Sequence, residues 1–108
     1  MTIRYDGQVA IVTGAGNGLG RSHALALAER GAKVVVNDLG GAVDGSGSSS
    51  DAALETVRLI EQAGGEAISN GANVADLSQV EAMVAQAVEK WGRVDILVNN
   101  AGILRDKS

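Results

Sequence analysis

The sequence contains no cysteine, which excludes a disulfide framework, a thiolate metal site and a cysteine nucleophile. It has one histidine, His23, so a histidine-built metal centre is not expected either. Phenylalanine is missing, and Tyr5 and Trp91 are the only aromatic residues. Any core must therefore be assembled from Val, Ile, Leu and Ala, a palette that suits buried parallel strands covered by alanine-rich helices. There is no basic block, and the formal charge is -4, which argues against nucleic acid or an anionic membrane as the main partner. No apolar stretch approaches the roughly 18 residues of a membrane span. The opening "MTIRYDGQ" also lacks the apolar core of a signal peptide, and the expected compartment is the cytoplasm.

What is present fits one small domain. The 108 residues are too few for two cores. Val9 to Val12 is wholly aliphatic and ends in Thr13 and Gly14, the pattern of a buried strand. A helix is expected over Leu19 to Arg30, with Leu25, Leu27 and Ala28 near one face and Gly31 as its stop. "KVVVN", Lys33 to Asn37, reads as a second buried strand closing on Asp38. Leu39 to Ser50 is a Gly/Ser loop, long for a strand-to-helix connection. A second helix is expected over Asp51 to Ala63, with Leu54, Val57 and Ile60 inward and Gly64-Gly65 beyond it. Glu66 to Asn70 makes a weak third strand. Asp76, with Gln79 three residues on, gives a capping-box pattern for a third helix. Along that helix Val80, Met83, Val84, Ala87, Val88 and Trp91 recur with helical period, placing Trp91 in the core. Gly92 ends it, and Ile96 to Val98 forms a fourth strand.

Strand–helix alternation of this kind implies crossover connections and a parallel sheet. The expected fold is α/β, a doubly wound sheet of the Rossmann type with strand order 3-2-1-4. Its ligand crevice lies beyond the carboxyl ends of strands 1 and 4. Gly14, Asp38 and Asn99-Asn100 all fall at such ends.

The stretch "AIVTGAGNGLGRS", Ala10 to Ser22, puts four glycines within seven residues on the first strand-to-helix turn. There the backbone must bend sharply, and the helix N-terminus offers free N–H groups to a phosphate. Asp38 at the end of the second strand suits hydrogen bonds from an adenosine ribose, and its charge would repel a 2′-phosphate. On the residues alone, the glycines could serve only tight turns, Asp38 could be a solvated loop acid and "NNAG" a polar strand end. Arg21 and Ser22 could support phosphate or simply form a solvated first turn, and His23 reads as a surface or packing residue. A P-loop aligned on Ala15 to Ser22 has Ala15 for its first glycine and Arg21 for its lysine, which removes the fixed cation of triphosphate chemistry. The spacing also fails G-x-G-x-x-G, because Leu19 stands where the last glycine would be. The pattern is T-G-x-x-x-G-x-G, Thr13 to Gly20.

That pattern, with Asp38 and "NNAG" at Asn99 to Gly102, resembles the short-chain dehydrogenase/reductase family from about Gly7 to the last residue. "NDLGG" (Asn37 to Gly41), the loop after it and "NNAGILRDKS" look more narrowly like the (3R)-hydroxyacyl-CoA dehydrogenase domain of multifunctional enzymes and bacterial relatives. The resemblance implies NAD as cofactor. It implies Gly14, Asn17, Gly18, Leu19 and Gly20 around the pyrophosphate, Asp38 on the ribose, and Asn73 and Val74 bordering the adenine. Asn100, Ala101 and Gly102 would line the cofactor and steady the central sheet. Many members of the family have Asp where Asn73 stands; an amide both accepts and donates, so the adenine contact is retained.

The family's catalytic Ser and Tyr-x-x-x-Lys lie beyond its NNAG motif, and Tyr5 is followed four residues later by Val9. These 108 residues therefore hold the cofactor half without the acid–base groups. Three readings compete: the leading portion of one dinucleotide-binding domain that continues after Ser108, a non-catalytic NAD(H)-binding module acting through a partner, or a structural fragment. In the first, the complete enzyme transfers hydride between NAD(H) and a secondary alcohol or ketone, preferably 3-hydroxyacyl-CoA-like. It would form a homo-oligomer through the C-terminal half. Ile96, Leu97 and Val98 are apolar enough for burial on both faces, yet they would form an edge strand, and an uncovered apolar edge invites pairing. The 108-residue chain alone is thus expected to be poorly soluble, partly unfolded or associated, and extension past Ser108 to restore a stable fold. Sedimentation with thermal melting checks this. A monomeric, cooperatively melting species that binds NAD would favour the independent module.

Overall fold

A computed structural model of the chain describes residues 4–16, 18–39 and 51–100. Its elements alternate: β1 (Val9–Thr13), α1 (Gly18–Glu29), β2 (Lys33–Asn37), α2 (Asp51–Gln62), β3 (Glu66–Asn70), α3 (Leu77–Trp91) and β4 (Ile96–Asn99). The strands form one sheet in the order β3-β2-β1-β4, and every pairing is parallel, with Ile11 opposite Val35 and Leu97. This is the expected doubly wound arrangement. Positions 40–50 of the Gly/Ser loop, including Gly41 of "NDLGG", lie outside the described residues.

Burial on both faces explains the composition of β1 and β2. All five residues of β1 are buried, as are Val34, Val35 and Val36 of β2. β-Branched side chains fit such a pleated, two-sided environment. Successive residues then serve opposite layers. Val12, Val34 and Val36 join Ala24 of α1 and Ala53 and Ile60 of α2 in one cluster. Val9, Ile11 and Val35 join Met83 and Ala87 of α3 in another.

The helix faces depart from the expected ones in two places. In α2 the buried residues are Ala53, Thr56 and Ile60, whereas Leu54, expected inward, is 50% exposed. The helix runs so close to the glycine turn that only small side chains fit beneath it, and the larger apolar residue is rotated out. In α3 the buried line is narrow, Met83 and Ala87, with Val84 and Val88 turned to the surface. Trp91, expected in the core, is half-buried. Its indole N–H donates to Glu66 Oε2 at 3.2 Å, satisfying the polar tip that full burial would have stranded.

Asp76 caps α3, accepting from Ser78 N at 3.0 Å and Gln79 Nε2 at 3.0 Å, and Gly92 ends the helix with φ 85°. Gln79 does not reach back to the Asp76 N–H as in a full capping box; its Oε1 accepts from Asn73 N at 2.8 Å. The helix cap is thereby joined to the segment following β3. β4 is the sheet edge, and its Leu97 is 66% exposed.

At the amino end of the sheet, Asp95 fixes the register of β1 and β4. Its carboxylate accepts from Val9 N at 2.9 Å, and its own N–H donates to Val9 O at 2.8 Å. The Arg93 guanidinium beside it, and then the Val9 N–H, hold the Asp95 carboxyl below its ordinary range. A carboxyl depressed by folding contributes stability above its unfolded value, about 3.9, and loses it as pH falls through the folded value. Asp95→Asn is expected to melt lower than the parent at pH 7, with the gap narrowing below the unfolded value and closing only as pH falls through the depressed folded value, beneath which both side chains are neutral. A gap unchanged by acid in paired thermal melts would show that the charge of Asp95 contributes nothing.

Candidate functional site

The carboxyl ends of the parallel strands are joined by polar side chains. The Thr13 hydroxyl at the end of β1 donates to Asn99 Oδ1 at 2.9 Å and accepts from Asn100 N at 2.9 Å. Asn37, fully buried at the end of β2, donates from Nδ2 to Ala72 O at 3.1 Å and to Asn70 Oδ1 at 3.2 Å. Across the strand tops, Ala15 N donates to Asn37 O at 2.9 Å and Asp38 N to Asn70 O at 3.1 Å. Buried polar groups paired in this way keep the rim rigid where the strand ladders run out.

On this rim lies the glycine turn. Gly14 and Gly18 both have φ near +60°, a conformation that costs a residue with a Cβ about 1–2 kcal/mol. Around Gly18 the space a Cβ would enter is open. Gly20 is constrained by packing, since a Cβ there would overlap the Gly14 carbonyl. The sequence pattern suggests both bare backbone and close helix packing at Gly18; the structure assigns the packing to Gly20. Gly16 has a third constraint: a Cβ would overlap Asp38 Oδ2 and press on the Ala52 methyl. The turn and the carboxylate of Asp38 are thus in direct apposition.

The other expected site residues fall along the same end of the sheet. Leu19 is exposed in the first turn of α1, and Asp38 is half-buried just past β2. Asn73 and Val74 follow β3. The Asn73 Oδ1 accepts from Ala75 N at 2.9 Å, while Val74 packs against the cluster beneath α3. Asn100 follows β4. Asn17, Ala101 and Gly102 lie outside the described residues. Arg21 does not stand free for phosphate: its guanidinium donates to Thr56 Oγ1 at 2.9 Å and Ala52 O at 3.2 Å. Ser22 and His23 are exposed on α1.

Sequence reasoning left Gly16, Asn37 and Thr56 without a role. The glycine run itself was a signal for Gly16, since a fourth glycine exceeded what the motif needs. Nothing local marks Thr56, whose contacts are to Ala15 and Gly16.

The arrangement suits a dinucleotide. The first turn of α1 carries no acidic residue to compete with an anion, and its N-terminal N–H groups and dipole favour phosphate. Gly18 leaves the backbone bare for close approach. Asn100 Nδ2 is a buried donor without a hydrogen-bond partner among the described residues, as expected of a side chain that awaits an acceptor. A separate groove of about 750 Å³ opens at the opposite end of the sheet, between the last turns of α1 and α2, lined by Leu25, Ala28, Lys33, Ile60 and Gly64. It shares none of these features.

Comparison with known proteins agrees with this geometry. A family model described as short chain dehydrogenase matches residues 8–108. The chain is 59% identical over 106 residues to the peroxisomal multifunctional enzyme type 2 of Drosophila melanogaster, covering 98% of this chain and 17% of that protein. A solved short chain dehydrogenase from Mycobacterium avium is 54% identical, with a TM-score of 0.84 over 98% of this chain and 37% of that one. Carveol dehydrogenase from Mycobacterium avium, solved in complex with NAD, is 32% identical, with a TM-score of 0.81 over 99% of this chain and 42% of that one. The chain therefore spans well under half the length of each. The expected cytoplasmic location does not stand against the Drosophila relative, which is named as a peroxisomal protein. The composition of the opening residues says nothing about compartments addressed by short receptor-read signals.

Two substitutions separate the roles within the turn. Gly20→Ala forces backbone apart and is expected to cost about 3 kcal/mol or prevent folding, whereas Gly18→Ala pays only the left-handed backbone strain, about 1–2 kcal/mol. Denaturant unfolding of the two variants measures the difference; equal losses would remove the distinction.

Proposed function

This chain belongs to the short chain dehydrogenase family, and on that premise we propose that it supplies the cofactor-binding portion of an NAD-dependent oxidoreductase. The proposed reaction is hydride transfer between NAD(H) and a secondary alcohol or ketone, with a 3-hydroxyacyl-CoA-like molecule as the preferred substrate. The observation that carries the cofactor assignment is the apposition of the open, left-handed Gly18 turn and the Asp38 carboxylate at the end of β2. Anion-accepting backbone and a ribose-accepting acid are held together there. The likeness to a carveol dehydrogenase solved with NAD supports the same assignment.

In this proposal Gly14, Asn17, Gly18, Leu19 and Gly20 surround the pyrophosphate, and the first turn of α1 neutralises part of its charge. Asp38 accepts from the adenosine ribose and repels a 2′-phosphate. Asn73 and Val74 border the adenine, with the Asn73 amide free to donate from Nδ2 while its Oδ1 holds Ala75 N. Asn100, Ala101 and Gly102 line the nicotinamide side, where Thr13 fixes the Asn100 backbone. Bound NAD would supply the hydride acceptor or donor. Proton exchange with the substrate oxygen is assigned to a Ser and a Tyr-x-x-x-Lys pair following Ser108, where the rest of the domain and the contacts of a homo-oligomer are also placed. The substrate preference rests on the resemblance of "NDLGG" and "NNAGILRDKS" to hydroxyacyl-CoA dehydrogenase domains and on the identity to the multifunctional enzyme.

The test is cofactor choice. The full-length protein is expected to use NAD in preference to NADP. Asp38→Ala should weaken NAD by about 10- to 100-fold, the effect of losing charged hydrogen bonds worth ~1.5–3 kcal/mol. Initial rates and calorimetric titration with both cofactors measure it. Equal or better use of NADP by the unmodified protein would overturn the assignment of Asp38.

A further inference from the structure

Thr56 lies within α2, fully buried, and the proposed cofactor contacts make no use of it. Threonine is a poor choice for a buried helical site unless its hydroxyl is needed: β-branching lowers helix propensity, and a buried hydroxyl requires a partner. Here it has several. Oγ1 lies 2.9 Å from Ala15 O, 3.2 Å from Gly16 O and 3.1 Å from Ala52 O, and it accepts from Arg21 Nε at 2.9 Å. The Ala52 contact is an ordinary back-bond within α2. Those to Ala15 and Gly16 reach across to the glycine turn. Because the Arg21 N–H occupies a lone pair, the hydroxyl hydrogen is left for a carbonyl, and Ala15 O is the nearest.

We propose that Thr56 and Arg21 form a positioning pair for the cofactor turn. In a planar trans peptide the N–H points opposite to the C=O, and the chain has no cis bond among its described residues. Holding the Ala15 carbonyl against α2 therefore aims the Gly16 N–H away from α2. A run of glycines is otherwise expensive to order, and a loop ordered before binding spares the ligand that cost. Arg21 is well suited to this role because it spans both helices: its Nη2 also donates to Ala52 O. The pair touches neither substrate nor cofactor and acts only through the backbone of Ala15 and Gly16. The inference rests on the dinucleotide-binding reading above.

The test is calorimetric titration of the full-length protein with NADH, below the melting temperature of every variant, alongside steady-state kinetics. Thr56→Val keeps the shape and deletes the hydroxyl. It is expected to raise the NADH Kd by about 3- to 10-fold, the effect of one hydrogen bond, with kcat within about twofold, and Thr56→Ser to restore tight binding. Arg21→Met should weaken NADH similarly, and the double variant should be no weaker than the weaker single one, because both act through one oxygen. A purely structural role predicts a lower melting temperature with unchanged Kd, and that result overturns the proposal. Should Thr56→Val fail to fold, Arg21→Met with unchanged Kd overturns it equally. Failure of the unmodified protein to bind NADH would instead sink the dinucleotide reading, and the role of the pair with it.

Discussion

The contact on which the rest of the structure depends is between Gly20 and the carbonyl of Gly14, where a single methyl group would already collide with backbone. That closeness lets α1 start almost directly above the end of β1, so the helix N-terminus lies over the carboxyl end of the central strand. Ala24 can then reach the cluster shared with Val12, Val34 and Val36. A larger residue at position 20 would tilt the helix off the sheet and lose both the packing and the direction of the helix dipole. The same few ångströms therefore serve the core and the site.

This constraint spreads to α2. α2 packs beside α1, and its inner face is limited to Ala53 and Thr56 near the glycine turn, with Ile60 farther along. Ala52 and Thr56 close over Gly16, whose missing side chain leaves room for the carboxylate of Asp38. Small residues here are a geometric requirement and not a weak hydrophobic signal. The stability of this region comes from close contact and satisfied polar groups more than from large apolar area.

The sequence was most legible where one face or one spacing decided the answer. β1 and β2 are buried on both sides, so no choice of face could be wrong, and the alternation with helices carried the strand order. The position of Gly14, Gly18, Gly20 and Asp38 at the carboxyl end of the sheet was legible because short spacings hold them on one strand–helix–strand unit. Leu54 misled because hydrophobic size was taken as the guide to the inner face of α2, whereas the available depth favoured Ala53. Trp91 misled because the periodicity of α3 does not register the indole N–H, which sought Glu66. Thr56 was illegible for another reason: it is defined by partners far along the chain, Ala15 and Gly16, and no local pattern encodes it.

The polar rim also explains how attraction and discrimination can coexist in one small area. The end of α1 favours any phosphate, and its influence fades within about a turn. Asp38 sits beside that favourable region, held by the backbone pairing of its own N–H with Asn70 O. A carboxylate so placed would oppose a further phosphate on a ribose beside it. In the proposed cofactor site, attraction would be supplied by backbone shared with every phosphate ligand, and selectivity by one side chain. The two can be separated only because Gly16 lets that side chain approach the turn without displacing it.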